Sequence, residues 1–171
     1  MKCNGMGVLD FHTPALVRRQ FTYLSGRQFI GQLVALCFLP YAGLVAAHRL
    51  DHYGRQFQQI DTTLLIAISG PRPFHRLWIS PTEKPSTTLL ADPCGRLHRR
   101  FGVGSIEAAP HCRTFVIDQD GILRLRVTHD FVDGDLDALR NILERKSVIN
   151  NATGTREVTV DTKTGIFPGL V

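Results

Sequence analysis

The sequence predicts an α/β domain, a central mixed sheet flanked by helices, and three observations carry that prediction. Residues 33–39 and 62–69 are apolar or small on both alternating faces, as strands covered on both sides are. Between them Leu44, Ala47, Leu50, Tyr53 and Phe57 recur at spacings of three and four, with Arg49, Asp51, Arg55 and Gln58 interleaved, the pattern of an amphipathic helix. Later, residues 113–117 and 122–127 flank the turn Asp118-Gln119-Asp120-Gly121, a hairpin signature.

Composition agrees. At roughly 150 residues per domain, the 171 residues make one domain, and 43% hydrophobic residues supply a full core. That excludes a disordered charged tail protein. The net charge of +5 is modest. Four Cys are too sparse for a disulfide-stapled scaffold, and without Cys-x-x-Cys spacing they form neither a zinc ribbon nor a thioredoxin-type redox pair. Residues 1–7 carry one charge and no apolar stretch, so no signal peptide is expected and the cytoplasm is the expected compartment. The apolar run 33–47 is interrupted by Pro40 and Gly43 and falls short of the about 20 residues of a membrane span.

In chain order, residues 1–15 read as irregular, punctuated by Gly5, Gly7 and Pro14. Residues 21–24 suit a short strand and 25–32 a turn with a short helical segment. The strand at 33–39 ends at Pro40, the helix runs from Leu44, and the strand at 62–69 completes a right-handed parallel crossover. Residues 70–73 are a loop, 74–78 one or two helical turns, and 80–86 a Pro-rich surface loop. A short strand at 88–91 stops at the Asp92-Pro93 turn, and 96–101 suits a short basic helix. After the hairpin, 135–145 is an amphipathic helix with Leu136, Leu139, Ile142 and Leu143 inward and Asp135 at its N-terminus. Residues 147–171, rich in Asn, Thr and Gly, read as a loosely attached C-terminal tail with one strand-like stretch at 156–162, suited to pairing with a partner subunit. The expected organisation is a domain over 1–146 and a tail over 147–171. A crossover unit, a hairpin and a last helix, in that order, is the order of a thioredoxin-like fold.

The ordered segments resemble a known family. Leu9-Asp10-Phe11, then Leu36-Cys37-Phe38-Leu39-Pro40, then Phe74-His75-Arg76-Leu77-Trp78, then Leu89-Leu90-Ala91-Asp92-Pro93-Cys94-Gly95, and finally Arg113-Thr114-Phe115-Val116-Ile117-Asp118 with Gly121-Ile122-Leu123-Arg124, are similar to peroxiredoxins of the alkyl hydroperoxide reductase and thiol-specific antioxidant family, in its typical two-cysteine branch. The resemblance implies the peroxiredoxin variant of the thioredoxin-like fold, no cofactor and no metal. It also implies a Pro-x-x-x-Thr-x-x-Cys motif at a helix N-terminus, whose thiolate attacks the peroxide bond with help from a nearby Arg.

Here that motif reads Pro40-Tyr41-Ala42-Gly43-Leu44-Val45-Ala46-Ala47. Pro40 is kept and Arg113 matches the family's late Arg. Leu44 stands at the Thr position and Ala47 at the Cys position. A methyl group has no lone pair to attack oxygen, and Leu44 can neither donate nor accept a hydrogen bond. No Cys follows Cys112, so the family's resolving thiol is missing from 147–171 as well. The resemblance therefore implies a vestigial site, Pro40, Leu44, Ala47 and Arg113, and a non-catalytic binding or regulatory homologue that acts as a homodimer or with a protein partner. The alternative is a thiol-dependent peroxidase using a relocated Cys such as Cys94, near Arg96 and His98, with a thioredoxin-type reductant.

The remaining residues have plainer readings. Cys37 suits a small buried residue of the central strand. Cys112 adjoins Arg113 on a strand and so faces the other side. Cys94 with His98, and His111 with Cys112, are weak metal-ligand spacings. Residues 96–100 read as a solvated basic helix face rather than a nucleic-acid surface, and Trp78 as a core or dimer contact.

Overall fold

Seven consecutive buried residues, Leu33–Leu39, set the architecture, because a strand covered on both faces must sit inside a sheet with a layer on either side. The computed structural model describes residues 7–39, 47–69, 86–103, 111–130, 133–145 and 154–160. Its strands are β1 (His12–Val17), β2 (Gln20–Ser25), β3 (Leu33–Leu39), β4 (Thr62–Ser69), β5 (Thr88–Asp92), β6 (Cys112–Ile117), β7 (Leu123–His129) and β8 (Arg156–Thr159). Its helices are α1 (Ala47–Gln58), α2 (Arg96–Arg100) and α3 (Asp133–Glu144), with a 3-10 turn at Gly26–Phe29. The strands form one sheet in the order β2-β1-β5-β4-β3-β6-β7-β8. The centre β5-β4-β3 is parallel, and β6 runs antiparallel to β3. This is the mixed sheet that the sequence predicts.

Each face of the sheet has its own core. On one, Ala35, Cys37, Leu39, Ile66 and Val116 pack under Leu50, Tyr53 and Phe57 of α1 and Leu136, Leu139, Ile142 and Leu143 of α3. On the other, Leu36, Phe38, Leu65 and Phe115 pack under Leu9, Phe11, Leu97 and Phe101. Helices α1 and α3 are joined at their rim. Asp133 Oδ1 accepts from Arg49 Nη2 at 2.8 Å and from the Tyr53 hydroxyl. Burial, and then the hydrogen bond to Asp133, push the Tyr53 hydroxyl up to about 12. Gly54 lets α1 approach Thr87, because a Cβ there would collide with the Thr87 hydroxyl. Gly121, with φ +76, supplies the left-handed position of the β6–β7 turn, where Asp118 Oδ1 accepts from the backbone N–H of Asp120 and Ile122.

Three sequence expectations are corrected. The segment read as irregular contains β1, paired along its length with β2. Pro14 is tolerated because β1 is registered to β5 only at Ala15 and Leu16, so Pro14 has a ladder neighbour on one side. The Thr13 hydroxyl donates to the Ala91 carbonyl beyond that short ladder. Second, α2 is not a solvated face throughout, since Leu97 and His98 are buried. Third, the stretch suited to a partner subunit pairs within its own chain. Arg156–Thr159 lies parallel to β7, with Leu125 opposite Arg156 and Thr128 opposite Thr159, and the Val160 side chain is buried. An unpaired edge on β7 is satisfied by the nearest strand-competent segment. Among the described residues no helix is long and apolar enough to cross a membrane.

Candidate functional site

The end of the sheet where β3 and β4 finish is the place to build a site, since ligands of parallel sheets gather at the carboxyl ends of the strands. Ala47 opens α1 there. Arg113 lies opposite Phe38 in the β3–β6 register, two residues before Pro40 in sequence. Pro40 and Leu44 fall outside the described residues, as do Cys3, Trp78 and the segments 70–85 and 104–110.

Arg113 projects to the Phe38 face. It lines an open cavity of about 280 Å³ together with Arg100, Phe101, Phe115, Arg126 and Glu157, among others. Arg100 is tied down through hydrogen bonds to the Asp10 carbonyl and, at 2.7 Å, the Gly7 carbonyl. Arg126 lies 6.0 Å from the Phe115 ring centroid and 3.4 Å from Glu157. Arg113 is exposed and makes one long bond, 3.4 Å, to the Gly102 carbonyl. The cavity thus has an aromatic floor and three guanidinium groups, with one carboxylate among the residues named.

Cys94 is not part of it. The thiol-bearing residue is exposed in the turn before α2, and the cavity around Arg113 does not include it. Of the two basic neighbours that sequence proximity suggested, Arg96 and His98, the second points elsewhere. Arg99 Nη1 donates to the Cys94 carbonyl at 2.9 Å rather than to the thiol. His98 turns inward, its Nδ1 2.7 Å from Asp92 Oδ2, while its backbone N–H donates to the same oxygen at 2.8 Å. Burial pushes the Asp92 carboxyl up, but the hydrogen bonds from the His98 ring and backbone and from the Leu97 backbone more than offset it and hold it below the usual range. His98 is therefore hydrogen-bonded to a buried carboxylate against the edge of Phe38, with ring centroids 4.7 Å apart, and is no partner for Cys94. Among the described residues no group of three His, Cys, Asp or Glu side chains is arranged to hold a metal ion.

On the opposite face the structure assembles a group that spacing did not reveal. Cys37 of β3 lies opposite Thr114 of β6, and Cys112 of β6 lies opposite His129 of β7. All four are buried, with Cys37 1% and Cys112 2% exposed. His129 Nδ1 donates to the Asp130 carbonyl at 2.8 Å, which turns Nε2 toward the cluster, 2.7 Å from the Thr114 hydroxyl. The Cys112 thiol bonds to Cys37 and so holds the Cys37 thiol well below its ordinary value, against burial and with help from His129. The same contact, with burial, pushes Cys112 up. The register across three strands makes this cluster, and register is the one quantity a single sequence leaves open.

No family model matches the sequence, and no curated protein matches it. Solved structures do. AhpC of Enterococcus faecalis superposes with a TM-score of 0.68 at 20% identity, over 88% of this chain and 96% of that one. The mitochondrial 2-Cys peroxiredoxin of Plasmodium falciparum gives 0.63 at 16% identity, over 83% and 92%. A putative thiol:disulfide interchange protein DsbE of Chlorobium tepidum gives 0.57 at 17% identity, over 84% and 95%. At such identities the likeness is one of architecture: the chain has a thioredoxin-like fold in the form seen in 2-Cys peroxiredoxins.

Proposed function

We propose that this chain is a peroxiredoxin-like protein of the thioredoxin-like redox class that has lost peroxide reduction and serves as a non-catalytic binding or regulatory homologue. The observation that carries the reading is Ala47 at the first position of α1. A helix N-terminus stabilises a thiolate through its unpaired N–H groups and dipole, and here there is no sulfur for it to act on. Leu44 removes the hydroxyl that the family resemblance assigns to positioning peroxide. Arg113 stays, exposed, over a cavity with Arg100, Arg126, Phe101 and Phe115. That arrangement is suited to holding an anionic group on an apolar floor without transforming it.

The protein works as a homodimer or with a protein partner in the cytoplasm, where its three described cysteines stay free. Residues 147–171 act as a tail whose strand β8 closes the β7 edge. Peroxide consumption with a thioredoxin-type reductant tests the central reading. The expected result is no sustained turnover above a protein-free control. Turnover that disappears in Cys94→Ala would establish the relocated-thiol reading instead, and sedimentation of the full chain tests the dimer.

A further inference from the structure

We propose that Cys37 and Cys112 form a reversible intramolecular disulfide on exposure to hydroperoxide, a modification site separate from the vestigial peroxidase position. The geometry carries this. Cys37 faces Thr114, so Cys112, two residues earlier on β6, sits on the adjacent diagonal of the same face. The two sulfurs are side by side within one apolar cluster under α1 and α3. His129 lies directly across from Cys112 and bonds to Thr114, with its Nε2 on the thiol side. Cys112 is the first residue of β6 and His129 the last of β7, so the group lies at the rim of the sheet. Closing the bridge displaces a strand end rather than a strand centre.

The step balances. His129 Nε2 takes the Cys37 proton, and the thiolate attacks one oxygen of hydrogen peroxide. The O–O bond breaks, Cys37 becomes a sulfenic acid, and the departing hydroxide leaves as water with the proton from His129. The Cys112 sulfur then attacks the Cys37 sulfur, the S–O bond breaks, and a second water leaves with the Cys112 proton. Two thiols are oxidised to one disulfide and one peroxide is reduced to two waters. Entry of peroxide needs only a local opening at the rim. A protein reductant has no surface on which to reach sulfurs 1% and 2% exposed, so the event is stoichiometric and does not become turnover. A diagonal bridge draws the strands closer than the ladder holds them, which makes it readily opened by a small thiol.

The test uses the full chain carrying Cys3→Ser and Cys94→Ser, so that only Cys37 and Cys112 can react. The protein is treated with hydrogen peroxide, denatured, alkylated and mapped without reduction. The expected result is one crosslinked pair of peptides containing Cys37 and Cys112, a mass loss of two hydrogens, and full reversal by dithiothreitol. His129→Gln should form the bridge at least tenfold more slowly while keeping the native circular dichroism spectrum. Recovery of both cysteines alkylated, or of Cys37 as sulfinic or sulfonic acid with Cys112 free, would overturn the proposal. Neither outcome bears on the peroxidase assay, so the two readings fail separately.

Discussion

Among the described residues the sheet buries two histidines, one against each face, and holds them in opposite ways. His98 is fixed by Asp92, six residues earlier, through two hydrogen bonds from a single short turn. His129 is held by a backbone carbonyl, a threonine hydroxyl and a thiol drawn from separate segments. The first arrangement is local and closed, with both partners about 5% exposed. The second is assembled from distant segments and sets the Cys37 thiol in contact with an imidazole. The difference is one of reach: a local hydrogen-bonded Asp–His pair braces the Phe38 face, while the α1/α3 face sets a thiol beside an imidazole brought from distant segments.

The largest effect that would sharpen this comparison is loss of Asp92. Asp92→Ala leaves the His98 ring and backbone N–H buried without an acceptor, and should cost about 1–3 kcal/mol for each in urea unfolding. A loss below about 1 kcal/mol would mean that His98 does not depend on this pair. Thr114→Val keeps the shape but removes the hydroxyl at His129 Nε2, and should cost about 1–3 kcal/mol by the same measurement.

The pH profiles should diverge as well. The Asp92 carboxyl is depressed in the folded state, so its stabilisation is present above the unfolded carboxyl value of about 3.9 and is lost as pH falls through the folded value. For His129, burial lowers the folded value, but hydrogen bonding and charge from Cys37, with smaller contributions from Asp130 and Asp135, raise it overall. Its stabilisation is therefore full below about pH 6.5 and is lost as pH rises through the folded value. The thermal midpoint difference between the wild type and Asp92→Asn should shrink on acidification below about pH 4, and that for His129→Gln should shrink on alkalinisation. The smallest effect belongs to Glu157→Gln. This residue is exposed, and its pair with Arg126 spans 3.4 Å with side chains 43% and 77% exposed, so the change should cost about 0–1 kcal/mol.

The framework of both faces was legible in the sequence, and both histidine sites were hidden. The fully apolar run Leu33–Leu39 and the helical spacing through Leu50, Tyr53 and Phe57 announce β3 and α1, because burial on two faces and on one stripe leave different periods. Strand β1 was hidden by Pro14 and by its polar start at His12 and Thr13. The Ala at position 47 was plain, since it needs only a residue identity at the position where the resemblance expects Cys. The Cys37, Cys112 and His129 cluster was not, because Cys37 and Cys112 lie far apart in the chain and meet only through strand register. The inward turn of His98 was missed for a related reason: a five-residue helix is too short to show which side is buried.

The central claim is that α1 begins without a peroxidatic thiol and that nothing else sustains the reaction. Continuous peroxide consumption by the wild-type chain, followed with and without a thioredoxin-type reductant, tests it most directly. The account predicts uptake limited to about a few equivalents of peroxide per chain, the amount its own thiols can reduce, and then no further rate in either condition. Saturable, reductant-dependent turnover continuing for many equivalents would contradict it.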